Sequence, residues 1–185
     1  MPATVLVPSE ALHRQVGRLG RDVSVAYPQG VVLIALLKGS VVFLADLVRA
    51  MSTDVVVDFL ALSPYAEGGG RARLLKDLDV DVAGQPVVLV QDVVDTGLTL
   101  AWTLAELARR GPRSVDVCAL VDRRARRLVP VTLRWVGFDV GERFVVGYGL
   151  DYRGRYRNLD LLAAGDPGAL RADPDAHLAE LYGAR

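Results

Sequence analysis

Apolar residues along the chain follow two spacings. Four runs, VVLIALL at 31–37, VVVDFLAL at 55–62, VVLV at 87–90 and VDVCALV at 115–121, are nearly continuous and rich in Val, Ile and Leu. Runs of this length bounded by turn residues predict strands buried on both faces. The segments between them carry helical spacing. Residues 9–26 place Leu12, Val16 and Leu19 on one face behind Ser9, which the pattern predicts as N-cap after Pro8. Residues 40–51 hold Val41, Leu44, Leu47 and Val48, and residues 98–110 hold Leu100, Leu104 and Leu107 before stopping at Gly111-Pro112. Strand and helix in alternation predict an α/β fold with a mostly parallel sheet of about five strands and helices on both faces. Two stretches break the rhythm. Residues 64–76 open on Pro, Gly and polar residues and read as a flexible lid with a short strand at its end, and 122–143 begin with a basic run and continue into β-rich sequence. The tail, 163–185, is Ala, Gly, Asp and Pro-rich with a short helix expected near His177–Tyr182. No repeat or compositional break divides residues 1–185, so one domain is expected.

Composition narrows the classes. The chain is 51% hydrophobic and 24% charged, a folded rather than a disordered balance. Lys+Arg and Asp+Glu both number 22, so any anion site is local and nothing in the overall charge points to nucleic acid. A single cysteine, Cys118, rules out an intrachain disulfide framework. The first residues lack the basic-then-apolar order of a signal peptide, and no apolar run is long enough for a membrane span. A cytoplasmic protein with no nucleic-acid and no membrane partner is the expectation.

The chemistry concentrates in VVLVQDVVDTGLTL, residues 87–100. An apolar strand delivers Gln91 and Asp92, and the turn Asp95-Thr96-Gly97-Leu98-Thr99 opens a helix. Ligands of open α/β sheets bind beyond the carboxyl ends of the strands. A helix N-terminus offers free N–H groups and the positive end of its dipole, which suits phosphate. Gly97 allows close backbone approach, and Thr96 and Thr99 add hydroxyls. The plain alternative is a strand–turn–helix with Thr or Asp95 as a cap. The full strand–acid–turn–helix unit is more specific than D-T-G alone.

This segment resembles the phosphoribosyl-pyrophosphate signature of type I phosphoribosyltransferases. LLKGSVVFLADLVRAM (36–51), LKDLDVDVAGQPVVLVQDVVDTGLTL (75–100) and VGFDVGERFVVGYGLDYRGRYRNLDLL (136–162) resemble, in that order, the hypoxanthine-guanine branch. The resemblance covers about residues 4–162 and implies a type I phosphoribosyltransferase-like sheet with a small hood from the N-terminal residues and parts of 122–162. It implies a purine-salvage enzyme that transfers 5-phosphoribosyl from phosphoribosyl pyrophosphate to a 6-oxopurine, with Mg2+ and a homodimer or homotetramer. Leu37, Lys38, Gly39 and Ser40 then match the pyrophosphate loop, whose Leu37-Lys38 bond is expected to be cis. Asp95 matches the acid/base at purine N7. Thr96, Gly97, Leu98 and Thr99 match the 5-phosphate cradle, with Gln91 and Asp92 at the sugar and metal. Arg157 matches the arginine on pyrophosphate. Phe144 matches the residue that stacks on the base, Val145 the backbone that reads its edge, and Asp151 a residue near metal and purine. Ser63 and Tyr65 match the lid.

Three positions depart from the family pattern. Gln91 stands where an acid is usual and lacks its charge. Arg123 stands where a lysine donates to the 6-oxo group; it is also donor-only, so a 6-oxopurine is still expected. The lid begins Ser63-Pro64-Tyr65-Ala66 in place of a Ser-Ser-Tyr-Gly-like start. These keep two other readings open: a paralogue acting on xanthine or a modified purine, and a catalytically weak nucleotide-sensing regulator.

Overall fold

The computed structural model describes residues 2–63 and 73–183. Fifteen elements follow in order: strands β1 (Thr4–Val7), β2 (Val31–Leu36), β3 (Val55–Leu62), β4 (Leu74–Lys76), β5 (Pro86–Val94), β6 (Ser114–Asp122), β7 (Trp135–Asp139), β8 (Val145–Val146) and β9 (Leu162–Ala164), helices α1 (Ser9–Ala26), α2 (Ser40–Ala50), α3 (Leu98–Ala108), α4 (Pro167–Ala172) and α5 (Leu178–Gly183), and the one-turn helix Arg124–Arg126. The fold class is the expected one: an α/β protein with a mostly parallel sheet between helices.

The large sheet has six strands in the order β4-β3-β2-β5-β6-β7, one more than the five expected. The four central strands are the four runs read from the sequence, and they pair in parallel. β4, the short strand expected at the end of 64–76, is an antiparallel three-residue edge on β3, and β7 closes the opposite edge in parallel with β6. The runs of β2, β5 and β6 are mainly apolar because both faces are covered, whereas β3, expected to be buried on both faces, leaves Val56 and Val57 exposed. Leu33, Val88, Val90, Cys118 and Leu120 face α1 and α2, while Ile34, Val87, Leu89 and Ala119 face α3. Each fully buried Val, Leu or Ile there stabilises the fold by about 1.5–3 kcal/mol. Gly20 allows α1 to cross α2 closely: a Cβ there would lie 2.7 Å from the Cβ of Ala50.

The second sheet, β1-β9-β8, has three short antiparallel strands. The tail, for which sequence gave only a short helix, belongs to it: Leu170 of α4 and Leu181 of α5 pack with Tyr156, Leu159 and Val146. Ser9 is not the N-cap of α1. Pro8 holds that place, and the Ser9 hydroxyl donates to Asp160 from within the first turn. α2 and α3 end at Ala50 and Ala108, one and two residues before their predicted limits. Among the described residues, no helix is long and apolar enough to cross a membrane.

Candidate active site

The site gathers at the carboxyl ends of β2, β5 and β6. β5 is longer than its apolar run and continues to Val94, so Gln91 and Asp92 lie within the strand rather than at its end. The turn Asp95–Gly97 then leads into α3. Gly97 takes φ +85°, a left-handed conformation that a side chain disfavours. A Cβ there would also strike the Val129 carbonyl oxygen at 2.9 Å. The N–H groups of Leu128 and Val129 both donate to the Thr96 carbonyl, at 2.9 and 3.2 Å, and fix the turn from above. No side chain caps α3; Thr96 Oγ1 offers only a long 3.4 Å contact to the Leu98 N–H. The helix therefore opens with free donors onto a cavity of about 230 Å³ lined by Leu36, Gln91, Asp92, Asp95, Thr96 and Thr99.

Two groups of side chains border that cavity. In the first, the Leu37-Lys38 peptide is cis, as the resemblance implied, and leads into Gly39 at the start of α2. Gly39 touches Asp92: a Cβ on it would fall 1.6 Å from Asp92 Oδ2. Its carbonyl in turn touches Gly149, which has φ +96° and where a Cβ would fall 2.1 Å from that oxygen. The Gly149 carbonyl accepts from Arg157 Nη1 at 2.6 Å, and Arg157 Nη2 pairs with Asp151 at 2.8 Å. Burial pushes the Asp92 carboxyl up to about 6, although the residue retains some exposed surface. The Val93 N–H and Arg157 oppose that rise, and the negative charge of Asp151 adds to it. Lys38 is exposed beside this group.

The second group surrounds Asp95. Arg123 Nη1 donates to its Oδ2 at 3.0 Å and Arg126 Nε to its Oδ1 at 2.7 Å. Arg123 is buried, holds the Glu142 carbonyl at 2.6 Å with Nη2, and keeps Nε buried with no hydrogen-bond partner among the described residues. Burial lowers its pKa, and Asp95 opposes that. Gln91 is buried too, and its Nε2 is a second donor without a partner among the described residues. Asp95 therefore does not cap α3; its carboxylate faces the two arginines.

The remaining candidates fall around this centre. Phe144 stands edge-on to Tyr152 at 5.8 Å and lines a cavity with Thr4, Leu6, Arg143 and Pro167. Val145 is buried in β8 and pairs with Ala164. Ser63 closes the root of the lid: its N–H donates to the Arg73 carbonyl at 2.8 Å, and its hydroxyl accepts from the Arg73 N–H at 3.0 Å. Of the expected lid, Tyr65 and the rest of 64–72 lie outside the described residues, and Leu74–Lys76 form β4. Sequence reasoning missed Arg126 and Gly149. Arg126 stands three residues after Arg123, the spacing of one helical turn, but it is one of four arginines in 122–127. Gly149 was hidden in GYGLD, where nothing marks which glycine meets Gly39.

Residues 9–153 match the family model described as "Phosphoribosyl transferase domain". The chain is 42% identical over 174 residues to the hypoxanthine-guanine phosphoribosyltransferase of Mycobacterium avium, covering 89% of this chain and 86% of that one. It is 39% identical over 162 residues to the hypoxanthine phosphoribosyltransferase of Haemophilus influenzae, covering 84% and 90%. Its fold superposes on a crystal structure of a hypoxanthine-guanine phosphoribosyltransferase from Bacillus anthracis with a TM-score of 0.84 at 38% identity, over 88% of this chain and 98% of that one.

Proposed function

The chain belongs to the phosphoribosyl transferase family, and on that premise we propose that it transfers the 5-phosphoribosyl group of phosphoribosyl pyrophosphate to N9 of hypoxanthine or guanine, releasing pyrophosphate. The observation that carries this reading is the junction of β5 and α3. An uncapped helix N-terminus and the carboxylates of Asp92 and Asp95 border one cavity, and Asp95 is bonded to the buried Arg123 guanidinium, which keeps one unpartnered nitrogen among the described residues.

Each group has a task in that reaction. The backbone of Thr96–Thr99 holds the 5-phosphate on the helix N-terminus. Lys38, the N–H groups after the cis bond and Arg157 hold pyrophosphate and offset its charge as it leaves. Asp95 takes the proton from N7 of the purine as N9 bonds to the anomeric carbon. Arg123 donates to the 6-oxo group; its unpartnered buried Nε is a donor that such an acceptor satisfies. A 6-amino group offers no acceptor there and leaves the donor buried and unpaired. Gln91 lies at the ribose, where its unpartnered amide finds a hydroxyl oxygen. Phe144 and the Val145 backbone bound the purine, and the lid with Ser63 and Tyr65 keeps water from the cationic sugar.

Magnesium is part of the same proposal. Asp92 and Asp151 are hard oxygen donors whose charges are felt by one another, and two carboxylates are a usual protein share for magnesium, with phosphates and water supplying the rest. Bound there, it neutralises the charge of the departing pyrophosphate. Assembly as a homodimer or homotetramer and residence in the cytoplasm complete the proposal.

The test is a panel of hypoxanthine, guanine, xanthine and adenine with phosphoribosyl pyrophosphate and magnesium, read by chromatography of the nucleotides. Turnover of hypoxanthine or guanine above the others supports the reading. Turnover of xanthine alone, or of none, contradicts it.

A further inference from the structure

Both carboxylate oxygens of Asp95 are occupied by guanidinium groups, and the two arginines are anchored very differently. Arg123 has a side chain only 10% exposed and a second bond to the Glu142 carbonyl. Arg126 has a side chain 48% exposed. It sits at the end of the one-turn helix Arg124–Arg126, and among the described residues its side chain has one hydrogen-bond partner, Asp95 Oδ1 at 2.7 Å. The two cations also repel, since Arg126 works with burial to lower the pKa of Arg123. Arg123 is therefore a fixed wall and Arg126 a detachable one.

If Asp95 takes the N7 proton, which is the reading this inference rests on, one of its oxygens must face the purine. Oδ2 is tied to the buried arginine, whereas Oδ1 is held by the arginine that can swing into solvent. We propose that Arg126 is a positioning residue: it holds Asp95 oriented while the purine site is empty, and it yields Oδ1 to the N7–H of the incoming base. The exchange replaces one hydrogen bond to the carboxylate with another, so neither oxygen of Asp95 goes without a donor.

One consequence separates this role from a merely structural one. Arg126 competes with the purine for Oδ1, so its removal lowers the KM of the base and leaves kcat little changed. Among the described residues, Arg123, which follows β6, and Arg126, from the one-turn helix, are the cations bonded to Asp95.

The experiment compares wild type with Arg126→Gln, Arg126→Lys and Arg124→Gln, with hypoxanthine as the varied substrate. Arg124 shares the one-turn helix and the charge but has no bond to Asp95 among the described residues. Arg126→Gln is expected to lower the KM of hypoxanthine about threefold, the scale of a half-exposed ion pair, with kcat little changed. Arg126→Lys should stay near wild type, and Arg124→Gln should move neither value. An unmoved KM in Arg126→Gln, or an equal movement in Arg124→Gln, overturns the inference. Asp95→Asn distinguishes the premise: if it turns over like wild type, the N7 assignment itself fails. If it is inactive while Arg126→Gln is unmoved, only the role of Arg126 fails.

Discussion

Replacing Gly39 by alanine probes the contact on which one side of the site is built. Its φ of −62° suits any residue, so the effect is steric alone. The added Cβ would lie 1.6 Å from Asp92 Oδ2 and 2.7 Å from its Cγ. The loop has no room to retreat, because the Gly39 carbonyl already abuts Gly149. The Asp92 carboxylate must turn away. It then forfeits its 2.9 Å bond from the Val93 N–H, about 1–3 kcal/mol for a charged acceptor, and takes an off-rotamer setting costing about 0.5–1.5 kcal/mol. Alanine returns about 0.5 kcal/mol through the unfolded chain. The net loss is about 1–4 kcal/mol, a fall in Tm of roughly 2–16 °C for a chain of this length. Gly17→Ala supplies the contrast. Its Cβ meets only Arg21 Nη1, at an ordinary 3.5 Å, in the middle of α1. That change is expected to stabilise by about 0.5–1 kcal/mol. Thermal unfolding reads both, and calorimetric titration with phosphoribosyl pyrophosphate reads the site, where Gly39→Ala should bind at least about tenfold more weakly. A Gly39→Ala protein that melts at the wild-type temperature and binds the donor normally refutes the reasoning.

Other expectations follow from single contacts. Asp95→Asn should lower kcat/KM for hypoxanthine by roughly 100-fold or more, the usual scale for a general acid/base, while donor affinity stays within a few-fold; steady-state rates and titration decide. Arg123→Gln, whose amide can accept as well as donate, should narrow the preference for hypoxanthine over adenine by at least about tenfold in paired kcat/KM measurements. Asp58 is a structural case: burial raises its pKa, but N–H groups of Val80, Phe59 and Asp79 and the Lys76 ammonium outweigh burial and leave it lowered. A lowered folded value means stability present above about pH 3.9, the unfolded value, and lost as pH falls through the folded one. Asp58→Asn should therefore destabilise by about 1–3 kcal/mol at pH 7 in denaturant unfolding, with the difference shrinking below about pH 4.

The sequence made the centre of the fold legible and its edges much less so. β2, β5 and β6 are mostly buried, and that burial is what writes a continuous apolar run; β3 carries a similar run but leaves Val56 and Val57 exposed, so its run overstates its burial. β8 and β9 span two and three residues, too few for any period to register, whereas β4, equally short, was expected at the end of the lid. β7, WVGFD, mixes Gly and Asp into an edge strand and reads as neither spacing. At the site, the turn at 95–99 was legible because it combines an acid, a positive-φ glycine and a helix start in five residues. The Gly39–Asp92 contact was not, because it joins the ends of two strands through space. Arg126 was not either, because charge alone does not say which arginine of a run meets a carboxylate.

The central claim is transfer of a phosphoribosyl group to a 6-oxopurine, and its most direct measurement is stoichiometry. The purified protein is mixed with magnesium, phosphoribosyl pyrophosphate and limiting hypoxanthine, and nucleotide and pyrophosphate are quantified from the same samples by mass spectrometry and an enzymatic pyrophosphate assay. The account predicts one inosine monophosphate and one pyrophosphate for each hypoxanthine consumed, with no pyrophosphate released when the base is omitted. Pyrophosphate release at the same rate without base, or no nucleotide from hypoxanthine or guanine, contradicts it.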